Sequence, residues 1–368
     1  MKNVSKARVI FLSIFLFLTI LHAKDVIVGV KEGVLLCVYT IIPSLFPFLV
    51  LTNMIHPLLL GHKIPLLNHL GSIMGIPIGA ESIFFLGALG GYPIGARIIS
   101  EAYRHGELNQ THSRRLLGFC SNAGPAFIFG IVGTLFQQKY IPWIIWGIHI
   151  LSAIIVAMIL PGKSRCFCQI SKKETNTFLS SVEQSIRVLA KICSLITLFR
   201  AILYICQKWF KRMLSNTVWI IFSGFLELSN GCLSLSMITC DGERFIIAIV
   251  MLSVGGLCVG MQTKSITGSL GIGYYIPGKL LQTMIGALLA YMIQFIIFPK
   301  NQVVIIPFYG IILCVCIMLI IYWYIMKKHV AFSEQIMYND YKPRKGSAVC
   351  CFEKNYPSRA VTACMEHK

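Results

Sequence analysis

Residues 81–97 read E-S-I-F-F-L-G-A-L-G-G-Y-P-I-G-A-R, and no other stretch limits the possible folds of this chain so strongly. The side chains are apolar enough for a bilayer, yet Gly87, Gly90, Gly91, Pro93 and Gly95 fall within nine residues. In a helix interior each glycine costs about 1 kcal/mol and each proline about 3 kcal/mol. Backbone released from a helix at membrane depth must face protein or water, because lipid offers no hydrogen bonds. The stretch therefore predicts a broken or re-entrant helical hairpin, over residues 73–102, that lines a cavity.

The rest of the chain fits a membrane setting. Hydrophobic residues make up 56% of it and charged residues 13%, against roughly 25% charged in soluble domains. The fold class expected is an all-α polytopic membrane protein. Its net charge of +19 would point to nucleic acid in a soluble protein. Here the lysines and arginines are scattered between apolar spans, as in cytoplasmic loops. Membrane lipid is the expected partner, nucleic acid is not, and a homo-oligomer is left open. Most of the 14 cysteines sit inside apolar spans, where a free thiol acts as a small hydrophobe. Cys166 and Cys168, like Cys350 and Cys351, lack histidines at ligand spacing, so no metal and no cofactor is expected.

Apolar periods give spans at 9–21, 33–56, 116–135, 141–160, 186–206, 245–270, 281–298 and 303–326. The first has the basic start of a signal peptide but a poor cleavage site, and is read as an uncleaved span with a cytoplasmic N-terminus. A short loop with His56, His62, Lys63 and His69 precedes the hairpin, and a polar connector at 101–115 follows it. Ser121, Asn122, Ala123, Gly124 and Pro125 interrupt the span at 116–135.

The feature order then recurs. A span at 33–56, a glycine-broken hairpin at 73–102 and an interrupted span at 116–135 are echoed at 186–206, 217–238 and 245–270. Counting crossings, with each hairpin entering and leaving on one side, inverts the second half relative to the first. The expectation is about eight transmembrane helices plus two re-entrant hairpins in an inverted repeat, with both termini cytoplasmic. Lys208, Lys211 and Arg212 fall outside by this count, against the positive-inside rule.

Paired interruptions in inverted halves point to a transporter's solute site. The residues expected to bind solute are Gly91, Tyr92, Pro93, Arg97, Ser121, Asn122, Glu227, Asn230, Gln262 and Lys264. Glu81 and Glu227 are candidates for proton or ion coupling, since ionisable groups at membrane depth are costly and usually functional. Half-helices starting after Gly91, Tyr92 and Pro93, or after Gly124 and Pro125, would turn free N–H groups inward and favour an anion. Arg97 and Lys264 would add positive charge. Structural readings stand beside these: snorkelling or structural ion pairs for the charged groups, and close helix packing for the glycines. His149 reads as a buried, hydrogen-bonded histidine rather than a proton relay. Phosphate-loop, zinc-protease and nucleophile-elbow motifs are absent, so no enzyme is expected.

These motifs resemble the nucleoside-recognition (Gate) domain family, specifically the YlbJ family of sporulation integral membrane proteins. The matching stretches are P-S-L-F-P-F from Pro43, G-Y-P-I-G-A-R from Gly91, L-L-G-F-C-S-N-A-G-P-A-F from Leu116, G-F-L-E-L-S-N-G from Gly224, and Gly255, Gly256 and Leu257 followed by Q-T-K-S from Gln262. The likeness covers residues 30–325. It implies a first Gate-type repeat over 30–161 and a second, inverted repeat over 186–326. Composition rather than likeness assigns the rest: residues 1–29 are the cytoplasmic N-terminal end and first span, Lys163, Arg165, Lys172 and Lys173 mark 162–185 as a basic cytoplasmic loop, and the polar stretch 327–368 reads as a disordered cytoplasmic tail. The likeness also implies a multi-pass protein of the cell membrane, at the mother-cell-derived outer forespore membrane. The function implied is a secondary transporter of a small anionic solute, dipicolinic acid, from mother cell toward forespore. A membrane assembly factor working through the basic loop and tail is the alternative.

Overall fold

The computed structural model describes residues 6–62, 64–163 and 177–299. They lie in the compact unit Met1–Gly310; the unit Ile311–Lys368 is outside the described residues. So are the expected tail at 327–368, the expected span at 303–326 and most of the basic loop at 162–185. Every element among the described residues is helical.

The chain opens with α1 (Lys6–Leu21) and α2 (Ala23–Leu36). A π turn, Cys37–Ile41, joins α2 to α3 (Ile42–Leu59), and the three pieces run on as one long apolar helix, Ala23–Leu59. Pro43 falls in the first turn of α3, directly after the π turn. The wider turn accommodates a residue that has no N–H to give. The loop expected next instead contains α4 (Pro65–Met74), closed by Gly75 in the left-handed conformation. The expected hairpin is therefore shorter than 73–102. It consists of α5 (Glu81–Gly90) and α6 (Ile94–Arg104), with Gly91, Tyr92 and Pro93 between them.

The polar connector carries α7 (Gln110–Leu116), started by the Asn109 side chain accepting from His112 N at 2.8 Å. Burial, and then the neighbouring Arg115, hold the His112 imidazole below its usual pKa. The expected span at 116–135 is not continuous: the chain is irregular until Pro125, where α8 (Pro125–Phe127) begins a short helical run ending at Leu135. Next come α9 (Ile141–Ile159) and α10 (Phe178–Phe210). The second hairpin pairs α11 (Asn216–Leu226) with α12 (Leu228–Ser234). α13 (Asp241–Val254) and α14 (Gly256–Thr267) form one long helix bent at Gly255, and α15 (Tyr275–Ile297) follows.

Five of these helices are long and apolar enough to cross a membrane: Ala23–Leu59, Ile141–Ile159, Phe178–Phe210, Asp241–Leu270 and Tyr275–Ile297. The set fits a multi-pass membrane protein. Two further expected spans correspond to shorter pieces, α1 and Pro125–Leu135.

Small residues set the packing. Gly29 and Gly33, one turn apart on α2, bring its backbone against Ala201 and Thr197 of α10. Without a hydrophobic drive between helices in lipid, such close approach is what holds them together. Arg200 and Glu32 pair across this seam at 2.9 Å, Tyr204 donates to the same carboxylate, and Lys208 pairs with Asp25 at 3.0 Å. A second core joins α9, α13 and α15 through Ile145, Ile148, Phe245, Ile249 and Ala290.

Arg115 fastens the ends of α4 and α9. Its guanidinium donates to the carbonyls of Met74 (2.8 Å), Gly75 (3.0 Å), Ala157 (2.6 Å), Leu160 (3.4 Å) and Pro161 (3.0 Å). Carbonyls at helix C-termini have no partner within the helix, and one planar cation meets several of them here.

Candidate functional site

Both hairpins are closed by glycine. A Cβ on Gly95 would collide with the Cys120 carbonyl, and one on Gly231 with the backbone of Gly224. Gly87 and Gly95 face each other across the first hairpin, and both press on Cys120. The turn of this hairpin lies on the following interruption, where a Cβ on Gly91 would stand 2.8 Å from Gly124 N. In the second hairpin the last carbonyls of α11 lie against the following bend: a Cβ on Gly256 would stand 2.8 Å from Gly224 O. Side chains at these positions would hold the backbones apart, which is why the breaks are glycine-rich.

Tyr92 links the two interruptions. Its hydroxyl donates to Leu252 O at 3.1 Å, and its ring packs beside Gly255. The other face of the ring receives Lys279, whose Nζ is 4.9 Å from the ring centre. Lys279 lies in the first turns of α15, which approaches closely because Gly278 fits against the Gly118 carbonyl.

Lys279 is 3% exposed and takes part in no ion pair among the described residues. It donates to Gln282 Oε1 at 2.6 Å and approaches Asn122 Oδ1 at 3.5 Å. Gln282 Nε2 donates to Asn122 Oδ1 and to His149 O, both at 3.0 Å, and Asn122 Nδ2 donates to Phe119 O at 2.8 Å. His149 is fully buried as expected: Nε2 accepts from Ala123 N at 3.0 Å, which leaves Nδ1 to donate toward Ser253 Oγ at 3.4 Å. All partners of this lysine are neutral. An ion without a counter-charge costs several kcal/mol in such a place, so packing alone does not explain a lysine there.

In front of Tyr92 is a cavity of about 50 Å³. Gly91, Tyr92, Glu227 and Gln262 line it, so four of the residues expected to bind solute share one chamber. Asn122 stands behind Tyr92 with Lys279, while Pro93 precedes the first turn of α6. Ser121 is fully buried, with its Oγ unpartnered, outside this lining.

The remaining expected residues are elsewhere. Arg97 reaches Glu101 and Gln184, each at 3.0 Å, and joins α6 to α10. Lys264 is exposed. Asn230 lines a different, polar cavity of about 150 Å³ beside Glu32, Arg200 and Lys211. Glu81 lines a third, apolar cavity. Glu227 does line the central chamber, but its carboxylate also accepts from Ser229 N (2.9 Å) and Asn230 N (2.7 Å). The N-terminus of α12 is thus capped by the protein's own carboxylate.

Lys279 and Gln282 were not singled out by the sequence. The expected span begins at residue 281, whereas α15 begins at Tyr275. The missed signal is that proline is tolerated in the first turn of a helix, and that Lys279 and Gln282, three apart, share one helix face. No family model matches the chain, and neither does any curated protein or solved structure.

Proposed function

We propose that this chain is a secondary transporter that moves a small anion past Lys279. The observation that carries the reading is this lysine itself, buried without a carboxylate where the first hairpin, the irregular segment before Pro125 and α15 meet. It supplies the positive charge that the sequence had suggested for Arg97 and Lys264. Glycine-closed hairpins, each seated on the break that follows it, support two related halves, 30–161 and 186–326, in an inverted repeat. About eight spans with cytoplasmic termini belong to the same reading.

Resemblance to the YlbJ sporulation proteins motivates dipicolinate as the solute and the outer forespore membrane as the site of action. At about 50 Å³ the central chamber holds on the order of one or two waters. A pyridine dicarboxylate needs the hairpins to part, as alternating access requires. Glu227, on the chamber wall, is the coupling group in this scheme.

Purified protein in liposomes tests the reading. Labelled dipicolinate, or another small carboxylate from a panel, should accumulate above the level of empty liposomes. Folded protein with no uptake of any member of the panel would sink it.

A further inference from the structure

The cavity between α4, α5 and α9 differs in character from the central chamber. It measures about 160 Å³, and Leu67, Met74, Phe84 and Ile150 make its walls apolar. Two polar groups interrupt them. Glu81 is 4% exposed; its Oε2 accepts from Gly79 N at 2.7 Å, while Oε1 is buried with no partner. Trp146 lines the same cavity, and its Nε1 is also buried without a partner. No ion pair among the described residues involves Glu81. Its stem is pressed against Gly71 of α4, where any Cβ would collide with Glu81 Cγ.

We infer that this cavity binds a compact apolar amine, with the ammonium on Glu81 Oε1 and the apolar body between Phe84 and Trp146. A buried acceptor without a donor is costly, and an ammonium supplies a charge-assisted bond there. The Phe84 and Trp146 rings offer apolar faces to the ligand's body. The size suits a single ring, since an engineered apolar cavity of about 150 Å³ holds benzene. The cavity lining holds no lysine, arginine or histidine to receive an anion, so this site is separate from transport of the proposed solute.

The test is binding of benzylamine, toluene and benzoate to the full chain in nanodiscs, followed by tryptophan fluorescence and thermal unfolding. The wild type should bind benzylamine at least tenfold more tightly than toluene and should not bind benzoate. Glu81→Gln should bring benzylamine within twofold of toluene, and Trp146→Phe should remove the fluorescence change. Toluene binding as tightly as benzylamine in the wild type overturns the inference, and this comparison needs no variant to fold. A benzylamine preference that survives Glu81→Gln overturns it equally. Neither result depends on uptake, so transport can fail while this site stands.

Discussion

Lys279 Nζ lies 4.9 Å from the centre of the Tyr92 ring, and Tyr92 lines the central chamber whereas Lys279 does not. Tyr92 is held in turn by its bond to Leu252 O, so a residue of the first hairpin screens a charge on the last described helix.

Lys279→Met should abolish solute uptake in liposomes, and Lys279→Arg should retain part of it. A charge-assisted hydrogen bond is worth about 1.5–3 kcal/mol, or roughly tenfold to a hundredfold in affinity. Thermal unfolding of Lys279→Met should change little, because relief of the desolvation cost is offset by the loss of the donor to buried Gln282 Oε1. A variant that loses stability and keeps uptake would make the lysine purely structural.

Gly95→Ala should destabilise the protein by at least about 1–3 kcal/mol, since its new methyl meets the Cys120 backbone rather than a side chain that can yield. Gly147→Ala is the matched control in α9. Nothing lies within 4 Å of its added Cβ, so the change should stabilise by about 0.5–1 kcal/mol. Melting temperatures in one detergent compare the two.

Arg115→Met should cost more than about 3 kcal/mol, because several buried carbonyls lose their donor together. Arg115→Lys should fall between, keeping the charge without the planar fork. The readout is thermal unfolding, with limited proteolysis near residues 74–75 and 161–163 reporting release of the two helix ends.

His112 gives a pH dependence of known sign. Its folded pKa lies below the ordinary value of 6.5, so the unfolded chain binds the proton more readily. The stability contribution is complete above about pH 6.5 and declines as pH falls toward the folded value. His112→Gln should flatten the fall in melting temperature over that window.

The two hairpins and the irregular segment before Pro125 were legible because glycine and proline mark broken backbone whatever surrounds it. Side-chain direction at those breaks was not. Glu227 and Lys264 look alike in sequence, each a charge beside a small polar cluster. Helical phase turns Gln262 and Thr263 inward on α14 and leaves Lys264 exposed. Backbone geometry lets Glu227 cap the helix it precedes. The hairpin expected over 73–102 begins at Glu81, because Gly75 ends a separate helix before it. Lys279 was hidden by the proline and glycine before it, since only tertiary contact with Gly118 shows that α15 begins so early.

The bonds of Arg115 run only to residues 74–161, so all of its partners exist once the ribosome has passed Pro161. The Asn122 side-chain carbonyl has its donors on Lys279 and Gln282, more than a hundred residues later. At common elongation rates that interval is on the order of 10 s. A nascent chain can therefore lock the ends of α4 and α9 while the pocket around Asn122 waits for its donors. A chaperone or insertase acting in that interval would meet a finished clamp beside an unfinished polar pocket.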